Sequence, residues 1–227
     1  MQEKVILSWS GGKDSSLALH ELRASDAYQV AALLTTVTED YDRISMHGVR
    51  RTLLDQQAES LGLPLIEVLI SKTATNDEYG DKMREVLTKC VGDGIYQVAF
   101  GDIFLDDLKK YREENLSLVG MKGIFPVWKR DTTELARTFI ALGFKAVVTC
   151  VDTEALDKSF AGRLYDESFL SDLPAGIDPC GENGEFHSFA YDGPIFKSAI
   201  PHTLGEIVLR ENRFCYCDVI EGGTFVV

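Results

Sequence analysis

Apolar, β-branched runs alternate with segments of helical period through the first 150 residues. Residues 5–9, 28–36, 65–69, 97–100 and 145–150 read as strands. Residues 15–24, 49–61, 76–91, 105–118 and 132–142 read as helices. The first helix carries Leu17, Ala18, Leu19 and Leu22 on one side. The second carries Leu53, Leu54, Ala58 and Leu61, and Gly62 follows as a C-cap. Asp131 stands as an N-cap before Thr132, Thr133 and Glu134. Strands and helices alternating in this way predict an α/β fold, a doubly wound parallel sheet with helices on both faces. Ligands of such sheets bind beyond the carboxyl ends of the strands, where the strand order reverses.

The pattern changes after about residue 152. Residues 172–193 are rich in Gly, Pro, Asp and Asn, and strands at 206–210 and 214–220 are joined through Glu211, Asn212 and Arg213. The expected division is a nucleotide-binding α/β domain over residues 1–150 and a smaller C-terminal α+β region over 151–227, packed on it on the substrate side. No internal repeat or low-complexity tract interrupts the 227 residues.

The strand at 5–9 runs directly into Ser10, Gly11, Gly12, Lys13, Asp14, Ser15 and Ser16. Adjacent glycines let backbone come close to a ligand, and the helix that follows presents free N–H groups at the positive end of its dipole. Lys13 and the hydroxyls of Ser10, Ser15 and Ser16 add donors, so the segment reads as a phosphate cradle. Its spacing is neither that of the common P-loop nor that of the three-glycine dinucleotide turn. A second unusual segment, residues 176–188, packs three glycines, Glu182, Glu185 and His187 into one irregular loop. Those acids suit orientation of an amine or Mg²⁺ held through water, and His187 suits a proton donor or acceptor. On spacing alone, a turn-rich hairpin with solvent-facing acids fits equally well.

Composition narrows the partners. A net charge of −13 repels a polyanion over most of the surface, so nucleic acid is not an expected partner. The adjacent basic pairs Arg50, Arg51 and Lys109, Lys110 fall in helical segments and read as solvated faces. Five cysteines without a Cys-x-x-Cys pair oppose both a disulfide framework and a zinc ribbon, and Cys180, His187, Cys215 and Cys217 match no zinc spacing. No apolar run approaches the roughly 20 residues of a membrane span, and the N-terminal residues lead straight into a strand, so the cytoplasm is the expected location.

The first motif, Ser-Gly-Gly-Lys-Asp-Ser, resembles the pyrophosphate loop of the N-type ATP pyrophosphatases. Together with Gly-Glu-Asn-Gly-Glu-Phe-His-Ser at 181–188 and Asp192, Gly193, Pro194, Ile195 and Phe196, it resembles the diphthine–ammonia ligase family. The likeness runs through Gly101 and Asp102, Pro126 to Trp128, Leu156 to Phe160, and Gly162 with Arg163. Asn183 stands where the archaeal pattern has Gly, and His187 where it has Glu, which is closer to bacterial-type relatives. The resemblance implies use of ATP, Mg²⁺ and ammonia to amidate a carboxylate, in the family that of diphthine, a modified histidine of a protein. Bacteria lack diphthamide, so a bacterial chain implies another acceptor.

The resemblance also implies roles. Ser10, Gly11, Gly12, Lys13, Ser15 and Ser16 would hold the β and γ phosphates, with Asp14 and Asp102 toward Mg²⁺. For Asp14, an acid that merely suits the helix N-terminus is an equal reading. Leu34, Thr35 and Gly101 would line the nucleotide site. His47 would donate to the α phosphate or the acceptor, and Glu182, Glu185 and His187 would serve the acceptor or amine, Glu185 foremost. No glutaminase segment accompanies the sequence, so free ammonia is the expected nitrogen source. Related acidic enzymes are often homodimers, although no segment marks an interface. Two other readings compete. A tRNA-modifying ATP pyrophosphatase is opposed by the acidity, and a nucleotide-binding regulator of the universal-stress type leaves Lys13, Asp14 and the acidic loop without purpose.

Overall fold

In a computed structural model the chain is described over residues 2–44 and 48–222. The first part comprises β1 (Glu3–Ser8), α1 (Lys13–Ala24), β2 (Tyr28–Thr38), β3 (Arg43–Ile44), α2 (Arg51–Leu61) and β4 (Leu65–Ile70). It continues through α3 (Asn76–Gly92), β5 (Gln97–Ala99), α4 (Asp106–Ser117), β6 (Lys122–Ile124) and α5 (Thr132–Ala141). The elements expected over this stretch all form, with ends that move by no more than about two residues, the usual scatter of boundaries.

β1 pairs in parallel with β2 on one side and β5 on the other; β2 pairs in parallel with β4, and β5 with β6. The short β3 runs antiparallel to the end of β2. The chain therefore builds outward from β1 through β2 to β4, then returns to build the other way through β5 and β6. Right-handed crossovers put helices made during outward building on one face and those made after the reversal on the other. The packing follows this rule. Val5, Leu7 and Leu33 meet α1 and α2, whereas Ile6, Ala32, Leu34 and Val98 meet α3 and α4 through Leu87, Cys90 and Leu116. Strands covered on both faces need apolar residues at both parities, which is why β1 reads as an uninterrupted apolar run. The order reverses between β1 and β5, so their carboxyl ends, Trp9–Ser10 and Phe100–Gly101, flank the crevice where ligands of such sheets bind.

Residues 145–150 do not join the parallel sheet as expected. β7 (Lys145–Asp152) is antiparallel to β8 (Phe186–Asp192) and to β10 (Phe214–Glu221), which pairs with β9 (His202–Arg210). A strand buried along both faces carries no mark of which sheet it belongs to. The short α6 (Glu167–Asp172) precedes the glycine-rich loop, and β8 emerges from within the stretch whose composition suggested irregular structure. This second sheet packs against α1, α2 and α5, so Val147, Val151, Phe186 and Phe189 share one core with Leu17 and Leu53. Two ion pairs join the units at the other end: Arg43 and Arg50 both donate to Asp218 of β10, at 2.9 and 2.6 Å.

Candidate active site

The glycine turn is held in shape by its neighbours. Gly11 has φ +76°, and a Cβ there would lie 2.8 Å from Gln57 Oε1. Gly12 has ordinary extended backbone at φ −97°, so the unusual φ belongs to Gly11 alone of the two. What Gly12 lacks is room, because a Cβ would sit 2.9 Å from the Ser188 carbonyl oxygen of β8. Gly101 is pressed as closely: its Cβ would fall 2.8 Å from the Asp14 carbonyl carbon and 2.9 Å from Ser15 N. The end of β5 thus abuts the start of α1. Ser15 and Ser16 donate to the Gly12 carbonyl at 3.0 and 2.9 Å, and Ser10 Oγ lies 3.2 Å from Ser15 Oγ. Ser16 is fully buried, so its hydroxyl closes the first helical turn. Leu34 O accepts from Trp9 N, and Thr35 Oγ1 donates to Trp9 O, locking the ends of β1 and β2 together.

Gln57, which sequence reasoning missed, and Ser188, the last residue of the second motif, hold the turn from the side. Gln57 is fully buried; its Oε1 accepts from Trp9 Nε1 at 2.9 Å, and its Nε2 donates to Gly11 O and Ala190 O at 3.0 and 2.6 Å. Ser188 Oγ accepts from Lys13 N, and Ala190 N donates to Gly11 O. The second sheet therefore grips the turn through β8. A signal for Gln57 was present: it is the polar residue set within the apolar stripe of Leu53, Leu54, Ala58 and Leu61. Gln57→Leu keeps the volume but orphans the Trp9 N–H and removes a donor from the Ala190 carbonyl and one of two from the Gly11 carbonyl. Unsatisfied buried groups cost about 1–3 kcal/mol each, so a loss of about 3 kcal/mol is expected. For a chain of this size that lowers the melting temperature by roughly 6–12 °C in a thermal melt.

The acidic loop folds over Lys13. Glu185 is buried and turned onto its own loop, accepting from Asp178 N at 3.2 Å and from Asn183 N and Nδ2, both at 3.0 Å. Glu182 reaches outward from the loop, and its Oε1 accepts from Ile103 N at 2.7 Å beyond the end of β5. Burial pushes the Glu182 carboxyl up to about 7, with the Ile103 N–H opposing and the negative Asp14 adding to the rise. Burial, then the positive Lys13, lowers His187 to about 4, so its imidazole is neutral at physiological pH.

Lys13 itself is 3% exposed. Its Nζ donates to Asp14 Oδ2 at 2.9 Å and lies 5.0 Å from the centre of the Phe186 ring and 5.8 Å from that of Tyr165. Burial depresses its ammonium, but Asp14 foremost, with Glu182 further off, outweighs this and the net shift is upward. Burial raises Asp14 against the pull of Lys13. The pair is an ammonium–carboxylate contact in which Lys13 is shielded from water while the Asp14 side chain remains 28% exposed. Asp14 Oδ1 is buried without a hydrogen-bond partner among the described residues, an oxygen suited to a hydrated Mg²⁺. Asp102 does not suit that role, because Arg112 Nε and Nη2 hold both its oxygens at 2.5 and 3.0 Å and the guanidinium stacks on Phe100. Among the described residues, no three His, Cys, Asp or Glu side chains cluster as a metal site. His47 lies outside the described residues.

A cavity of about 570 Å³ opens at the carboxyl ends of β1, β2 and β5. Ser10, Leu34 and Thr35 line it with Tyr79, Met83 and Arg84 of α3 and Arg112 and Asn115 of α4, whereas Gly101 is not among its lining residues. Lys109 and Lys110 lie along the helix face as expected, paired at i,i+4 with Glu113 and Glu114, whereas Arg50 and Arg51 are tied across the fold to Asp218 and Glu67. All five cysteines are buried and free. No helix among the described residues is long and apolar enough to cross a membrane.

A Gly-rich turn at the reversal point of a parallel sheet, with a cavity beside it and an acidic loop above, defines a nucleotide-binding α/β enzyme of the HUP type. The profile described as "Diphthamide synthase N-terminal domain" matches residues 3–123, and "Diphthamide synthase C-terminal domain" matches residues 131–220. The chain belongs to the diphthamide synthase family. It is 27% identical to the diphthine–ammonia ligase of Homo sapiens over 88% of this chain and 83% of that protein. The Danio rerio ligase is 28% identical over 92% of this chain and 90% of its own length. The Schizosaccharomyces pombe ligase is 25% identical over 95% of this chain, which spans 39% of that longer protein. The class is an ATP-dependent carbon–nitrogen ligase.

Proposed function

We propose that the chain joins ammonia to a carboxylate through an acyl-adenylate. The acceptor carboxylate oxygen attacks the α phosphorus of ATP, the α–β bridge breaks, and pyrophosphate leaves. Ammonia then attacks the acyl carbon, and AMP leaves as the amide forms. The observation that carries this reading is the seat of Lys13, which starts the helix of the phosphate turn yet lies under Phe186 in the field of Glu182. Phosphate and acceptor halves thus share one cation, the arrangement a step joining the two requires.

Within this reading the N–H groups of residues 11–15 and Lys13 stabilise charge growing on the leaving pyrophosphate and the α phosphate. Glu182, raised to about 7, takes the proton that the attacking nitrogen sheds. Neutral His187 serves as a hydrogen-bond partner of the acceptor rather than as a cation. Glu185 holds the loop around Glu182. Mg²⁺, held by Asp14, would neutralise charge on the phosphates. Diphthine, for which the related ligases are named, is the class of acceptor to test first, as a protein-borne carboxylate. Absence of diphthamide from the source organism would turn the search to other carboxylates. A cytoplasmic location fits an ATP-consuming enzyme with five free cysteines.

The test is product analysis with ATP, ammonium and candidate carboxylates. AMP and pyrophosphate are expected in equal amounts with the amide, whereas ADP and phosphate as main products would refute the scheme.

A further inference from the structure

The two edges of the small sheet differ in character. β8 is covered, since Ala190 N donates to Gly11 and Ala190 O accepts from Gln57. β9 lies at the other edge and, among the described residues, pairs with β10 alone. It is nine residues long, contains neither Pro nor Lys, and leaves Leu204, Ile207, Val208 and Leu209 exposed at 49, 56, 42 and 52%. Ile207 and Leu209 stand opposite Cys217 and Cys215, both buried, so the apolar side of the sheet continues past its last covered strand. Edge strands are ordinarily blunted by Lys, Pro or a bulge, because open N–H and C=O groups invite another strand. The register irregularity against β10 lies between Cys217 and Val219 and leaves residues 207–210 regular.

We propose that β9 is a homodimer interface, in which it pairs antiparallel with β9 of a second copy about a two-fold axis at Val208. The spacing of its own side chains argues for that occupant. In this register Ile207 faces the partner's Leu209, extending the apolar side across the axis. Glu206 faces the partner's Arg210, giving two symmetric ion pairs on the other side. Within the chain, Arg210 stacks on Tyr216 and Tyr41, and among the described residues neither it nor Glu206 has an ion-pair partner. Slipping the pairing by one residue opposes inward with outward positions and, in one direction, sets Glu206 against the partner's Glu211. An isologous contact needs opposite charges equally spaced about one point, and this strand has them. The product is a continuous eight-stranded antiparallel sheet with a phosphate turn at each far edge.

Sedimentation velocity of the full chain across micromolar concentrations tests this. The wild-type chain is expected to be a dimer. Glu206→Arg and Arg210→Glu each place like charges opposite one another twice per dimer, and each should weaken association roughly tenfold or more. The double variant Glu206→Arg/Arg210→Glu restores opposite charges and should recover the dimer. Val208→Lys should give a monomer, with circular dichroism and ATP affinity unchanged in all four variants. A wild-type chain that stays monomeric, a dimer indifferent to the single changes, or single defects that the double variant does not repair would each overturn the proposal.

Discussion

Glu182→Gln is expected to lower the rate of amide formation by about 10²–10⁴-fold while leaving ATP affinity nearly unchanged, the range ordinary for loss of a general base. The substitution keeps shape and the bond from Ile103 N but removes the group that accepts a proton. The pH profile supplies a second, independent readout. Burial raises this carboxyl from 4.5 to about 7, so it is protonated below that pH and active as carboxylate above it. Wild-type activity should therefore rise through about pH 7, and the variant should lose that limb. Steady-state kinetics from pH 5.5 to 8.5, with ATP affinity measured beside them, check both outcomes. Glu185→Gln acts differently, because Glu185 holds its own loop through three hydrogen bonds; it should lower thermal stability along with activity and should retain the limb near pH 7. A limb that disappears with Glu185 and survives loss of Glu182 would reverse the two roles.

Gly12→Val should abolish measurable ATP binding, a loss of about 100-fold or more in affinity. The cause is crowding rather than φ, since Gly12 adopts ordinary extended backbone. A Cβ would press on the Ser188 carbonyl at 2.9 Å, and a branched side chain adds further bulk against β8. Relief requires the turn and β8 to separate, which breaks the bonds from Lys13 N to Ser188 and from Ala190 N to Gly11. The N–H groups that would hold phosphate then lose their common aim. Titration calorimetry with ATP, beside circular dichroism to show that the sheet persists, decides the matter. Wild-type affinity in a folded variant would remove the phosphate turn from the nucleotide site.

Much of this was legible in the chain. β1, the turn and α1 are local: an apolar run, adjacent glycines and a helical stripe specify strand, turn and helix without distant help. The alternation of 65–70, 76–92 and 97–99 with their neighbours is enough to imply crossovers, and crossover handedness then sets which helices share a face. The acidic loop also announced itself by its density of glycine and carboxylate. Which of its acids faces the chemistry did not follow from that density. Glu182 and Glu185 are two turns of one loop, and only contact with Ile103 on one side and Asn183 on the other distinguishes the carboxylate aimed outward from the one folded inward.

Sequence by itself determined the local objects of this protein: the glycine turn, the parallel strands around it and the loop of acids, because each arises from neighbours along the chain. Tertiary structure alone decided how they work together. β7 went to the second sheet because a strand apolar on both sides fits either, and pairing partners chose. Asp102 became the partner of Arg112, and Glu182 gained its altered proton affinity, because burial and nearby charge are properties of space rather than of spacing. Gln57, one amide inside an apolar stripe, acquired meaning only when β1, the turn and β8 converged on it from residues 48 positions before and 133 positions after.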